Sequence, residues 1–349
     1  MTVAATTLAE LTTLRVGGPA GRVVVADDEA VLVEAVREAD ASGTPALVVA
    51  GGSNLVVGDD GYPGTVVVVR TRGIDVAADT CGGAWVTVAA GEPWDALVAR
   101  TVDEEWAGVE ALSGIPGSVG ATPVQNVGAY GQEVASTIAR VRTLDRTTGQ
   151  QRTFAASDCG FGYRTSRFKA EPGRWLVLEV SLQLRLSATS EPVRYAELAR
   201  TLGVEVGERA PLRDVRDAVL ALRRSKGMVL DADDHDTWSV GSFFTNPVLD
   251  ADAAARLPDG APRFPQADGT VKTSAAWLLE HAGVRKGEAR GGAAVSTKHT
   301  LALTNRGGAS AADIVALAAD VRDRVQAAYG VTLEPEPTLV GCALPHGTL

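Results

Sequence analysis

Cysteine and histidine are scarce in this chain. Its 349 residues include three cysteines (Cys81, Cys159, Cys342) and four histidines (His235, His281, His299, His346). Three cysteines so far apart give no disulfide framework and point to a reducing compartment. Neither residue type recurs at metal-ligand spacing, so no metal site is expected. Nucleotide fingerprints are missing as well. There is no G-x-x-x-x-G-K-[ST], which excludes a P-loop, and the glycines at Gly114, Gly117 and Gly120 do not spell the G-x-G-x-x-G dinucleotide motif. Positive charge is in deficit, with 33 basic against 43 acidic residues and a net charge of -10. That balance disfavours nucleic acid, and no polybasic run exists to hold a membrane. No apolar run reaches the length of a membrane span, and the first residues lack the charged-then-apolar pattern of an export signal. A soluble, cytoplasmic, monomeric protein is expected.

What the chain does have is apolar residues, 45% of the total, and a length sufficient for two or three domains. It also has glycine in two telling places. Ser113 to Glu133 contains five glycines (Gly114, Gly117, Gly120, Gly128, Gly131) and two prolines (Pro116, Pro123). Such a stretch makes a poor helix or strand interior. It can present a row of backbone N–H groups to an anion, because no Cβ blocks close approach. Loops of this length are uncommon unless functional. Upstream, the apolar Ala46 to Ala50 reads as a buried strand running into Gly51-Gly52-Ser53-Asn54-Leu55, a sharp turn with N–H groups and a hydroxyl.

Elsewhere, periodicity predicts helices over Asp28 to Ala41 (capped by Asp27 or Asp28), Pro93 to Glu104, Arg194 to Leu202, Leu212 to Arg224, Ser274 to Ala282 and Ala311 to Tyr329, the last ended by Gly330. Strands are predicted at Arg22 to Val25, Thr65 to Arg70, Trp85 to Ala89, Ile138 to Leu144, Gln151 to Phe154, Trp175 to Arg185, Thr300 to Thr304 and Thr338 to Val340. Phe161 to Lys169 is a basic, aromatic loop with Arg164, Arg167 and Lys169. Gly227 to Asp236 reads as a polar linker. Ser239 to Val248 reads as a strand that reaches a site and then turns.

Six of these pieces, in this order, resemble the UDP-N-acetylenolpyruvoylglucosamine reductase family (MurB), flavoenzymes of peptidoglycan precursor synthesis. They are Arg-Val-Gly-Gly-Pro-Ala (15–20), Gly-Gly-Ser-Asn-Leu (51–55), the central glycine stretch, Tyr-Arg-Thr-Ser-Arg-Phe-Lys (163–169), Gly-Ser-Phe-Phe-Thr-Asn-Pro (241–247) and Leu-Glu-Pro-Glu (333–336). The resemblance implies an α+β fold: a two-subdomain FAD-binding fold of the vanillyl-alcohol-oxidase type plus a C-terminal α+β substrate domain. The expected division is 1–75 and 76–230 for the FAD subdomains, 231–335 for the substrate domain and 336–349 for a last strand and tail. It implies non-covalent FAD, since Asn54 stands where related oxidases place a flavin-linking His, and NADPH as co-substrate. The FAD contacts it implies are Gly51, Gly52, Ser53, Asn54 and Leu55 in the first loop. In the second they are Gly114, Ile115, Pro116, Gly117, Ser118, Gly120, Ala121, Gln125, Asn126, Gly128, Ala129 and Tyr130, with Arg223 added from the helix.

The family reaction reduces an enolpyruvyl ether to a lactyl ether, giving UDP-N-acetylmuramate. The resemblance assigns Arg164 to the charge on the carboxylate side, Glu336 to the substrate carboxyl and Ser242 to protonation of carbon. It assigns Tyr163, Tyr195, Lys226, Asn246 and His299 to the UDP-sugar, with Lys226 on the diphosphate. Tyr195 in Pro-Val-Arg-Tyr-Ala-Glu-Leu matches the lid tyrosine of the type I branch. This chain departs from the family at Lys-Gly-Met (226–228), where Lys-Leu-Pro is usual, and carries extra residues before Gly241. Two rival readings are a sugar or alcohol oxidase of the same flavin superfamily and a non-catalytic flavin-binding module. The first predicts no Gly-Ser-Phe-Phe-x-Asn-Pro and no Glu-Pro-Glu; the second leaves Arg164, Ser242 and Glu336 as coincidence.

Overall fold

A computed structural model describes residues 2–3, 7–79 and 82–345. Cys81 and His346 lie outside the described residues. The chain divides into two compact units that do not follow chain order.

The first unit comprises Ala20–Gly51 and Pro63–Ser225 with the short strand Thr2–Val3. Its larger sheet runs Gln150–Ala155, Ile138–Asp145, Trp175–Leu186, Gly83–Ala89, Ile74–Asp79, all antiparallel, with Trp106–Ala107 paired to the end of the long central strand. A four-stranded sheet holds Thr2–Val3, Ala20–Ala26, Tyr62–Val69 and Ala46–Val49, the last two parallel. Helix Glu29–Ala41 starts at Asp28, whose carboxylate accepts from Val31 N–H, and so satisfies one orphan donor. Its Leu32 and Val36 join Val67, Val86, Val88, Trp94, Leu97, Val141, Phe154 and Val180 in one buried core. A satellite cluster forms where helices Ala196–Leu202 and Leu212–Ser225 pack on Ala111. Ile74–Asp79 was not foreseen: it is an edge strand with five of six residues exposed, so it lacks apolar alternation.

The second unit comprises Thr7–Pro19, Gly52–Tyr62 and the chain from Lys226 on. An antiparallel sheet in the order Ser239–Ser242, Ala302–Asn305, Ala293–Val295, Ala289–Arg290 is covered by helix Ala311–Tyr329. The apolar face Ile314, Leu317, Ala318, Val321, Val325 packs with Leu278, Leu279, Phe243 and Phe244. Ser310 and Asp313 form a capping box, and Asp59 accepts from the N–H groups of Ala311 and Ala312 at 2.7 and 3.0 Å. Three carboxyl and hydroxyl groups thus satisfy the first turn. Gly330, at φ 66°, ends the helix. Leu55–Val57 and Thr338–Val340 form a parallel pair.

Gly227 to Asp236 is more than a polar linker. Asp236 is buried and accepts from Thr297 N–H and Oγ at 2.8 and 2.5 Å, with Arg306 at 3.1 Å. Similarly, the basic loop carries a one-turn helix, Arg167–Ala170, capped by Ser166. Among the described residues no helix is long and apolar enough to cross a membrane.

Candidate active site

In the first unit Gly51, the first residue of one glycine stretch, lies against the other stretch. A Cβ on Gly51 would lie 2.8 Å from Gly117 Cα, and one on Gly120 would lie 2.5 Å from Ala90 Cβ. Only glycine permits either approach, so backbone rather than side chain forms this surface. The stretch is not a bare loop. It contains a 3-10 turn, Val119–Ala121, and a small hairpin of Gly128–Ala129 with Gln132–Glu133. Gly114, Gly117 and Gly131 have φ of 71°, 122° and 82°, conformations that side chains resist. Ile115, Pro116, Gly117 and Ala129 are half-buried and Ser118 is buried.

Non-glycine residues share the strain. Among the described residues five of them have positive φ, and three are Asn126 (48°), Tyr130 (49°) and Arg164 (52°). Left-handed backbone at such residues costs on the order of 1–3 kcal/mol each and persists where surroundings enforce it. For Asn126 the enforcement is visible. It is 1% exposed; its Nδ2 donates to Glu133 Oε2 at 2.8 Å and to Gly162 O at 3.0 Å, while its Oδ1 accepts from Ala135 N–H at 3.1 Å. Arg164 sits in the tight turn closed by Gly162 and Thr165. Its guanidinium donates to Gly128 O at 2.7 Å and Asn126 O at 3.5 Å and lies 5.4 Å from the ring of the exposed Tyr163. The arginine is therefore fastened to the glycine stretch by that stretch's own carbonyls.

Two acids missed in the sequence hold this arrangement. Glu133 anchors Asn126, as above. Glu110, 1% exposed, accepts from Gly108 N–H, Gln132 Nε2 and Glu191 N–H at 2.7, 2.9 and 2.7 Å. An acid inside the apolar run Val109-Glu110-Ala111-Leu112 was the available signal. Beyond it, Tyr195 (45% exposed) meets Tyr130 edge to face at 5.5 Å. Burial pushes the Tyr130 hydroxyl up to about 12, against the Arg223 charge and with Glu197 and Tyr195. Arg223, on helix Leu212–Ser225, is 8% exposed. Burial lowers its pKa, while Tyr130 and Asp95 oppose the shift.

The second unit gathers a different set. Gly241, at φ 75°, sits in a bulge between Ser239 and Ser242, which re-aims the strand end. Phe243 N–H bonds to Leu301 O at 2.8 Å, Glu336 N–H to Phe243 O at 2.8 Å and Thr245 N–H to Glu334 O at 3.0 Å. The segments after Ser242 and around Glu336 thus pair as a short ladder. Glu334 is exposed and Glu336 half-buried. Asn54 Nδ2 donates to Glu336 O at 3.3 Å, and Asn54 O accepts from Thr338 N–H at 2.9 Å. His299 Nε2 is 3.5 Å from Ser242 Oγ, at the outer limit of a hydrogen bond. Asn246 Oδ1 accepts from Ala275 N–H at 2.9 Å, at the first turn of helix Ala275–His281. Lys226 is half-buried, immediately after helix Leu212–Ser225. Gly52 is held against Leu11 and Thr12, where a Cβ would fall 1.9 Å from Leu11 O.

Backbone glycine surfaces and a buried guanidinium in one unit suit the pyrophosphate of a dinucleotide. In the other, a hydroxyl beside an imidazole, with a carboxylate on the adjoining ladder, suits proton transfer. With the matches that follow, the chain is a flavin-dependent oxidoreductase. The family described as FAD binding domain matches residues 20–155, and the UDP-N-acetylenolpyruvoylglucosamine reductase C-terminal domain matches residues 233–340. The reductase of Cutibacterium acnes is 58% identical over 97% of this chain and 90% of its own length. That of Salinispora arenicola is 58% identical over 97% and 95%. The crystal structure of the Thermus caldophilus enzyme, 25% identical, covers 97% of this chain and 98% of its own with a TM-score of 0.66. The chain belongs to the UDP-N-acetylenolpyruvoylglucosamine reductase family.

Proposed function

We infer that the chain reduces UDP-N-acetylglucosamine enolpyruvate to UDP-N-acetylmuramate, with bound FAD and with NADPH as reductant, in peptidoglycan precursor synthesis. One observation supports the assignment of the chemistry: the ladder joining residues 243–245 to residues 334–336, which sets Phe243, the residue after Ser242, against Glu336 from a distant part of the sequence. When bound, FAD would supply the hydride chemistry that links NADPH to the terminal carbon of the enolpyruvyl group.

The residues of the chain do the rest. The abutting glycines Gly51 and Gly117, with Ser118 and Gly120, receive the pyrophosphate, and Arg223 adds positive charge. Hydride addition leaves an enolate whose charge lies on the carboxylate side. The Arg164 guanidinium balances it. Glu336 shares a proton with the substrate carboxyl and favours the enol. Ser242 gives its proton to the carbon beside the carboxylate; His299, on the UDP-sugar side, lies 3.5 Å from its Oγ. Lys226 holds the diphosphate, and Asn246, Tyr163 and Tyr195 the rest of the UDP-sugar. We read the chain as a cytoplasmic monomer of the type I branch, divided as 1–75, 76–230, 231–335 and 336–349. The deciding experiment is anaerobic: NADPH should bleach the yellow protein, and the enolpyruvyl substrate should restore the oxidised spectrum far faster than air does. Bleaching without restoration would refute the reading.

Two outcomes follow. FAD should be held without a covalent bond, because Asn54 offers no linking imidazole and no histidine precedes His235. Acid precipitation should leave all flavin in the supernatant; flavin retained in the pellet would contradict this. Lys226→Ala should weaken substrate binding by about 1.5–3 kcal/mol, the worth of a charge-assisted hydrogen bond. A titration giving an unchanged dissociation constant would move the diphosphate contact elsewhere, with Arg224 next in line.

A further inference from the structure

Asp95 has no part in the chemistry above, yet the glycine stretch is hung from it. It is the second residue of helix Trp94–Asp103. Its Oδ1 accepts from Gly114 N–H at 2.6 Å. Arg216, on helix Leu212–Ser225, grips both its oxygens, at 2.7 and 3.0 Å. Such a two-pronged contact fixes the carboxylate plane as well as its position. Burial pushes the Asp95 carboxyl up, but the Arg216 bonds, the Gly114 N–H and the charges of Arg216 and Arg223 outweigh it and hold the group below the usual range.

The neighbouring residue completes the grip. Trp94 N–H donates to Gly117 O at 3.0 Å and Trp94 Nε1 to Leu112 O at 3.1 Å. Trp94 is 1% exposed. Two adjacent residues therefore hold the stretch at Leu112, Gly114 and Gly117. Two of these positions, Gly114 and Gly117, have positive φ and little intrinsic preference for one conformation. Two turns along its helix from Arg216 stands Arg223, beside Tyr130 at the far end of the stretch. Asp95 and Arg216 thus set the start of the stretch against the helix that carries its buried cation.

We propose that Asp95 is a positioning residue for FAD, presenting the backbone of residues 114–118 in its binding conformation, and that Arg216 orients Asp95. The role rests on the reading of this stretch as the pyrophosphate loop. An ordinary acid in the first turn of a helix would contribute to stability alone. The two roles differ in what substitution changes.

The test is FAD affinity of the apo-protein, measured by quenching of flavin fluorescence at a temperature where circular dichroism shows each variant folded. Asp95→Ala removes the acceptor for Gly114 and should raise the FAD dissociation constant by about tenfold or more, the scale of a lost bond to a charged group. Asp95→Asn keeps an acceptor in place and should stay nearer the parent. Arg216→Gln leaves the Gly114 bond but frees the carboxylate to rotate, and should fall between. Unchanged affinity in Asp95→Ala overturns the proposal, whatever happens to its melting temperature; if that variant does not fold, Arg216→Gln with parental affinity overturns it. Gly117→Val is the control for the underlying reading. Weakened FAD binding there with none in Asp95→Ala rejects the positioning role alone, and parental affinity there rejects the loop assignment with it.

Discussion

Ser242→Ala should leave flavin reduction by NADPH at the parental rate and slow reoxidation by the enolpyruvyl substrate by about 10²–10⁴-fold, the usual worth of a general acid. The asymmetry follows from the chemistry. Reduction moves a hydride and asks for no proton on carbon. Reoxidation needs a proton delivered beside the carboxylate. A serine hydroxyl is a weak acid, so its geometry must carry the step. That geometry is built by the Gly241 bulge and by Phe243, whose N–H is committed to Leu301 O and whose C=O to Glu336 N–H. Removing one hydroxyl leaves those bonds standing. Ser242→Cys should recover part of the rate, a thiol being the stronger acid. Anaerobic mixing of pre-reduced enzyme with substrate, followed at the oxidised-flavin band, measures the step. Equal slowing of both half-reactions would show Ser242 to be structural.

Glu336→Gln should give a loss of similar size, about 10²–10⁴-fold, in the same half-reaction. The amide keeps the volume and can still hydrogen-bond, but it cannot exchange a proton with the substrate carboxyl. Glu336 is placed through its backbone, by Phe243 O and by Asn54 Nδ2, so the substitution should not move the segment. Substrate affinity of the oxidised enzyme should change little. The contrast with Glu334→Gln is informative: that carboxylate is exposed, and its loss should be nearly silent. If the two variants behave alike in single-turnover reoxidation, the proton-sharing role of Glu336 is wrong.

Much of this protein is local and therefore readable in one dimension. Apolar spacing at about 3.6 residues placed the helices at Glu29–Ala41 and Ala311–Tyr329, and their caps Asp28 and Gly330 act within a few residues of themselves. Glycine density marked both backbone surfaces, because a residue lacking Cβ announces its conformational purpose by its identity. The order of six short motifs placed the chain in its family. Edge strands such as Ile74–Asp79 escaped, since exposure removes the alternation that betrays a strand.

Only the tertiary structure decided what those pieces do to each other. It drew Thr7–Pro19 and Gly52–Tyr62 into the unit formed by the C-terminal chain. It set Gly51 against Gly117, paired residues 243–245 with residues 334–336, and supplied Glu133 to the buried Asn126. These are hydrogen bonds and close approaches, most of them between residues far apart in sequence. No residue pattern encodes its distant partner; the partner is chosen when buried polar groups must all be satisfied at once as the core closes.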